Sequence, residues 1–414
     1  MLTRRLRLPL ACTAAAITVG GALVVAGFAP ADSTPVSAPA SPVSKPGTTS
    51  PEVTVSPQLG SAAYVTAAPR KSPAAPDNGI HVDCAKGDDD NKGTLAEPLR
   101  SIRAATSRAL DPGDVIELAR GCTWQTTVQL RGDGTKTRPI RLTAYGAGPR
   151  PVIDGKAAGS ESVVLLSGRH QIVENIRVTN AATNAVEIRG ANSSVRSSSI
   201  DNAGVGVLLK ATGATADRVA VRDLHMVRDT PGGDDDYGAV GFTVEASGVD
   251  IGRSSCTDCR APSNDYGHDG GFVEVWNYAD GLDVHHNTGS NTQGILEIGG
   301  DQPDSSARGI KLRQNTFRTS HGGLVLHTDG NFAIGDAQIA VTDNTIASTG
   351  SQDPPILDGD LSNVTFEGNT VTTASFVSHS TPSRHRCNGI TLSGGAEVGY
   401  QRDRTEKLNS EATC

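Results

Sequence analysis

An all-β solenoid is the fold class predicted by this 414-residue sequence, and three observations predict it. The first is a repeat: the segment DYGAVG at positions 236–241 returns as DYGHDG at positions 265–270. The same step carries Glu245 to Glu274, and Glu297 follows after a slightly shorter one. Steps of about 20–30 residues with one short strand apiece are those of coils stacked on one another. The second is that Asn287, Asn315, Asn344 and Asn369 each precede Thr, at nearly even spacing of the same order. An asparagine at such a turn can bond its own bend and stack on its neighbours, so these four read as architecture. The third is composition: 47 Gly and isolated Val and Ile between Gly, Asn and Asp, with 4% aromatics, fit short strands broken at tight turns.

Along the chain, Arg4, Arg5 and Arg7 precede an apolar run over residues 8–28 and a small-residue end at Ala31. Residues 1–31 therefore read as a signal peptide for export; the competing reading is an uncleaved anchor, since the run approaches the length of a membrane span. Residues 32–76 are Pro, Ser, Thr, Ala and Val with few large apolar side chains, a composition that cannot offset ordering entropy and so predicts a linker. The remaining 77–414 are expected to form one elongated domain, because solenoids grow by adding coils. Its opening predicts a strand at 80–84 and then a helix over 99–110, with Leu99, Ile102, Ala105 and Leu110 sharing a face. Residues 111–114, DPGD, end that helix, and a strand follows at 115–118. A short amphipathic helix there would cover the open end of the first coil.

The spaced segments GTLAEPLRSIRAA and PGDVIELARG in that opening resemble the N-terminal cap of right-handed parallel β-helix proteins of the pectin-lyase-like superfamily. The resemblance implies a single-stranded right-handed parallel β-helix reaching to about Tyr400. That superfamily includes lyases, hydrolases, epimerases and adhesins, so it implies a scaffold and a groove without an activity. A second resemblance is local: ILEIGG and NTFRTSHGGLVLHTDG, within positions 295–330, are similar to the region of chondroitinase-B and alginate-type polysaccharide lyases that supplies a Lys base and a catalytic Arg. Glu297 matches one acidic position, but no Lys stands in residues 299–308 and His327 occupies the Arg position.

The cysteines constrain the fold further. Seven become six if Cys12 leaves with the signal, and an even number in an exported chain reads as disulfides. Proximity suggests Cys84–Cys122, Cys256–Cys259 and Cys387–Cys414; zinc at CTDC is the competing reading, without a second ligand pair at finger spacing. The 37 basic and 45 acidic residues, net −8, with no basic stripe interleaved with aromatics, speak against nucleic acid as a partner.

Alternation along strands separates core from surface. With Val273, Val275, Leu296 and Ile298 inside, it sends Phe272, Glu274, Trp276, Glu245 and Glu297 outward, and the same rule exposes Arg189, Lys210 and His327. One row is expected: Arg189, Lys210, Glu245, Glu274, Glu297, His327. At a strand spacing of about 4.8 Å, neighbouring carboxylates suit retaining hydrolysis, and alternate ones lie near the inverting range. Like charges this close favour one protonated member, as a general acid must be, or a cation among them. Glu274 and Glu297 are the expected catalytic pair with Glu245 or Asp269 assisting; Trp276 and Phe272 offer sugar platforms, and Tyr237, Tyr266 and Arg189 further contacts. Asp235, Asp236 and Asp265, beside Asp234 and His268, form an oxygen-rich cluster suited to Ca2+, with turn geometry alone as the competing reading.

The expectation is an exported, monomeric protein, free of the membrane after signal cleavage, that hydrolyses an extracellular polysaccharide. Two alternatives stay open: a Ca2+-dependent lyase using Lys210 or His327 as base in β-elimination, and a non-catalytic polysaccharide-binding or cell-surface protein.

Overall fold

Small and branched apolar residues alternating with polar ones give each short strand one buried row and one solvated row. The computed structural model describes residues 79–157, 162–328, 330–348 and 350–414; the expected signal segment and linker lie outside them. Successive coils build three parallel ladders. The first is a 12-stranded sheet running from Gly79–Val82 to Arg384–Arg386. The second runs from Thr123–Gln125 to Lys407–Leu408, and the third from Val128–Leu130 to Leu357–Asp358. The long strands Arg177–Ile188 and Ser199–Leu209 bend through both of these. Among the described residues, no helix is long and apolar enough to cross a membrane.

Stacking places like on like. In the first ladder the inward row is Leu142, Val173, Val195, Ala216, Ile251, Val284, Leu312, Val341 and Phe366, each opposed to the next coil's member and each fully or nearly fully buried. Burial of a Val- or Leu-sized side chain stabilises by about 1.5–3 kcal/mol, so the core is a sum of similar steps along the axis. Asn287, Asn315, Asn344 and Asn369 stand at one corner as expected. Each amide donates to the carbonyl oxygen of the next asparagine's side chain and to a backbone carbonyl of the preceding coil. The row runs on through Asn388 and stops at the buried Glu406, which also accepts from Tyr400 and pairs with His385. Asn388 precedes Gly rather than Thr, so the Asn-Thr signal passes over it.

Two local expectations change. The helix is only Ile102–Thr106, capped by Ser101, whose hydroxyl accepts from the Ala104 N–H at 3.1 Å. Leu99 pairs with Val82 as an extended residue instead, and Leu110 is buried beyond the helix end. Phe272 is the second. Alternation sends it outward, but it is wholly buried, stacked between Phe242 and Phe317 at centroid distances of 5.3 and 5.2 Å. The chain enters this strand through Gly270 at φ 115°, and alternation begins only after that corner. Gly289 leaves room for the next ring, since a Cβ there would meet Phe317 at 2.4 Å. The six cysteines pair as Cys84–Cys122, Cys256–Cys259 and Cys387–Cys414.

Candidate active site

The third ladder carries the carboxylates, and its register divides the expected row into two columns. Glu274 directly opposes Glu297 on the next coil, as the step between them predicts. On the preceding coil Glu274 opposes Thr243 rather than Glu245. Glu245 therefore lies one pleat further along the same face, in a column running Arg189, Lys210, Glu245, Trp276, Gly299, His327. A slip of one full pleat preserves the face and changes the neighbour. Its cause lies in the loops. Each DYG motif belongs to an antiparallel hairpin: Met226–Arg228 pairs with Tyr237–Gly238, and Ala261–Ser263 pairs with Gly267–Asp269. The second return strand is longer, and His268 and Asp269 are added before the corner glycine that stacks on Ala239.

Four carboxylates thus converge without forming one file. Glu274 sits deepest. Burial raises its pKa to about 8 from an ordinary 4.5, helped by the charges of Glu297, Asp269 and Glu245 and opposed by the Thr243 hydroxyl. Its surface is still partly open, so the carboxyl is desolvated by dense surroundings yet reachable from the groove. Thr243 Oγ1 is buried and has no fully formed hydrogen bond with any described residue, which leaves it poised against that carboxyl. Asp269 is pushed to about 7, by burial first and then by Glu297 and Asp236, although the Gly270 N–H donates to it at 2.6 Å. Glu297 pairs with His327 at 2.8 Å. That bond raises the His327 pKa against the opposing effect of burial, so the imidazole favours its charged form. Lys210 and Glu245 pair at 2.7 Å.

An aromatic wall closes one side. Trp276 and His327 lean on Phe332, with centroids at 5.3 and 6.2 Å. Gly299 between them makes this packing feasible, because a Cβ there would meet the His327 ring at 3.0 Å and Trp276 at 3.3 Å. On the other side stand the hairpins with Tyr237 and Tyr266, each 46% exposed. Tyr266 donates to Asp234 at 2.6 Å, and burial followed by that carboxylate raises its pKa. Arg189 is not part of this gathering: it lies three coils toward the N-terminus and pairs with the buried Glu187.

The acidic loop meets the oxygen chemistry of Ca2+ in ligand type, since Asp235, Asp236 and Asp265 offer donor atoms within 4.8 Å of one another. The protein itself already satisfies them. Asp235 pairs with Arg228. Asp236 accepts from the Thr230 N–H, the Ser263 hydroxyl and the Asp265 N–H at 2.6, 2.7 and 3.0 Å. Burial opposes its ionisation, but these donors outweigh it and hold the pKa at about 2. As folded, the loop is a network of internal hydrogen bonds that braces one hairpin on the other through the Asp235 N–H and Asp265.

Thr243 and Phe332 are the groove residues that sequence reasoning passes over, as it does Glu187, which lies outside the groove three coils from Glu274. Thr243 reads as an ordinary strand residue until register sets it beside Glu274. Phe332 stands in a loop with no repeat to mark it. Glu187 has the outward parity of Glu274, and alternation along VEIR could have found it.

Among solved structures, the chain superposes on an alginate lyase from Paenibacillus sp. with a TM-score of 0.51 at 12% identity, covering 80% of this chain and 99% of that one. A pectate lyase, Pel9A, aligns at TM-score 0.45 and 17% identity over 79% of each chain. An endo-xylogalacturonan hydrolase from Aspergillus tubingensis aligns at 0.49 and 12%, covering 74% of this chain and 90% of that one. No curated protein sequence matches the chain. The profile of the Pel9A-like, right handed beta helix region matches residues 80–349. With parallel coils, a corner asparagine ladder and a profile match over more than half its length, the chain belongs to the Pel9A-like right-handed β-helix family, a carbohydrate-active family.

Proposed function

We propose that the protein is an exported glycoside hydrolase that cleaves an extracellular polysaccharide lying in the groove of the third ladder. The observation that carries this reading is the direct opposition of Glu274 and Glu297 on adjacent strands, with Glu274 held protonated near neutral pH. Adjacent parallel strands are about 4.8 Å apart, close to the carboxyl separation of about 5–5.5 Å that retaining hydrolysis uses. Glu274 donates its proton to the leaving glycosidic oxygen while Glu297 attacks the anomeric carbon. A water then gives its proton to Glu274 and displaces the sugar from Glu297. His327, bonded to Glu297 at 2.8 Å, orients that nucleophile, and Trp276 supplies a face for the sugar ring. Burial first, then the charges of Glu297, Asp269 and Glu245, keep Glu274 protonated.

A second reading follows from the family name, which is shared with the pectate lyase Pel9A. In it Lys210 or His327 would remove a proton from a uronate, with Ca2+ neutralising the carboxylate. Both bases are engaged, Lys210 by Glu245 and His327 by Glu297, so neither stands free to take a proton from a uronate. The test is incubation of the protein with neutral and acidic polysaccharides. Hydrolysis releases reducing ends with no ultraviolet absorbance from an unsaturated product, is unaffected by chelator and is abolished in Glu274→Gln. Unsaturated product that disappears with chelator establishes the lyase instead. Retention of polysaccharide with neither product leaves a binding protein.

A further inference from the structure

A second concentration of chemistry lies on the outer surface of the 12-stranded sheet, near its N-terminal end. There an open depression of about 440 Å3 is lined by Thr135, Lys136, Pro139, Arg141, His170, Ile172, Asn192 and Arg196. Three successive coils build it. Arg141, Ile172 and Ser194 oppose one another across the ladder, and Arg196 opposes Glu174 one pleat on; the alternate residues Leu142, Val173 and Val195 face the core. The lining holds three basic side chains and a histidine, and no carboxylate. Arg196 stands in register between Glu174 and Asp217, and both are held by other cations, Glu174 by Arg141 and Asp217 by Arg218 and Arg253. Lys136, His170 and Arg196 make no side-chain hydrogen bond or ion pair with any described residue. In a chain of net charge −8, such a gathering of uncommitted donors repels itself and gains by accepting a counter-charge. Arginine and lysine together suit a carboxylate, sulfate or phosphate, the first as a fork and the second as a point charge. Thr135 and Asn192 add neutral hydrogen-bonding groups, while Ile172 and Pro139 give a small apolar floor.

We propose that this depression is a non-catalytic binding site for an anionic group carried on a polymer, which would hold a polyanionic chain on the side of the solenoid away from the carboxylate groove. The site is independent of the hydrolase reading, because the acidic groove and this basic depression use different ladders. The experiment is affinity electrophoresis of the full chain through gels containing polygalacturonate, dextran sulfate, polyphosphate or neutral dextran, at low and raised salt. At least one polyanion is expected to retard the protein, more weakly at raised salt, and dextran is expected not to. The pattern of retardation across the three polyanions distinguishes carboxylate, sulfate and phosphate. Lys136→Ala/Arg196→Ala is expected to weaken retardation by about tenfold or more, as loss of charged hydrogen bonds implies, while Glu274→Gln binds as the wild type does. Should the Ala pair lower the melting temperature, Lys136→Gln/Arg196→Gln gives the same readout with the side-chain volume kept. Retardation by no polyanion, equal retardation by dextran, wild-type binding by the double variant, or loss of binding in Glu274→Gln would each overturn the proposal.

Discussion

Glu274 is the residue on which the chemistry turns, because a carboxyl with a pKa of about 8 is an acid at neutral pH where an ordinary glutamate is not. Hydrolysis is therefore expected to fall on the alkaline side with an apparent pKa near 8, read as a bell limb in kcat/KM against pH. Glu274→Gln should cut kcat by about 10²–10⁴, the usual worth of a positioned general acid, with little change in KM. A profile flat from neutral to well above that pH would remove Glu274 from the role. Trp276 and Phe272 make a useful contrast within the same strand. Trp276 borders the groove, so Trp276→Ala should raise KM and leave folding nearly intact. Phe272 is core, packed between two rings, and Phe272→Ala should cost about 3–5 kcal/mol of stability, the range for an emptied aromatic site. Urea unfolding of both variants beside substrate titrations separates these outcomes, and a Phe272→Ala that only weakened binding would restore the outward placement alternation implies.

At the scale of elements, the repeated units were legible and their phasing was not. Asn-Thr at regular spacing marked the ladder because one coil's turn must match the next for its amide to find an acceptor. A periodic contact leaves a periodic sequence. The same logic misled for Glu245 and Glu274. The DYG loops do repeat at the step that separates these two glutamates, yet His268 and Asp269 lengthen one hairpin, so the strand register sets Thr243 and not Glu245 opposite Glu274. Insertions on the rim cost little and leave no mark on strand composition, which is why parity survived and neighbour identity did not. Phe332 and Thr243 were hidden for the related reason that their role arises from what lies beside them across coils. The ladder itself can be tested at Asn344, whose amide donates to Asn369 and to the Leu312 carbonyl, and whose carbonyl oxygen accepts from the Asn315 N–H and amide. Asn344→Ala leaves the Asn315 N–H and amide without an acceptor and the Leu312 carbonyl without its donor, and should lower stability by about 2–4 kcal/mol, since each orphaned group costs about 1–3 kcal/mol. Asn202→Ala, which removes one exposed bond to Asn180, should change it by less than about 1 kcal/mol. Thermal melts of the two, side by side, decide whether the corner row carries stability.

For the whole molecule, the groove's acidity makes stability and activity share a proton. Glu274 and Asp269 have folded pKa values of about 8 and about 7, against ordinary values of 4.5 and 3.8. Between those limits the native state holds protons that the unfolded chain has released, and stability then falls as pH rises. The sign is that of any group whose pKa is raised on folding: its contribution is complete below the unfolded value and is lost through the folded one. His327 acts in the same direction, because its pKa too is raised in the fold and its bond to Glu297 weakens as the imidazole loses its proton. Asp236 acts oppositely but is spent by weakly acidic pH, since it is already ionised above about 2. The urea midpoint of the wild type should therefore be higher at about pH 5 than at about pH 8.5. Glutamine at 274 keeps the shape and removes the titration, so Glu274→Gln should flatten that slope and be the more stable protein at the alkaline end while being the inactive one. Wild type and variant declining in parallel would mean that Glu274 is not desolvated in solution, and the general-acid assignment would fall with it. A flattened slope in an inactive, better-folded variant is the outcome expected of a solenoid that tolerates a destabilised site because its remaining coils are held by their own core and ladder contacts.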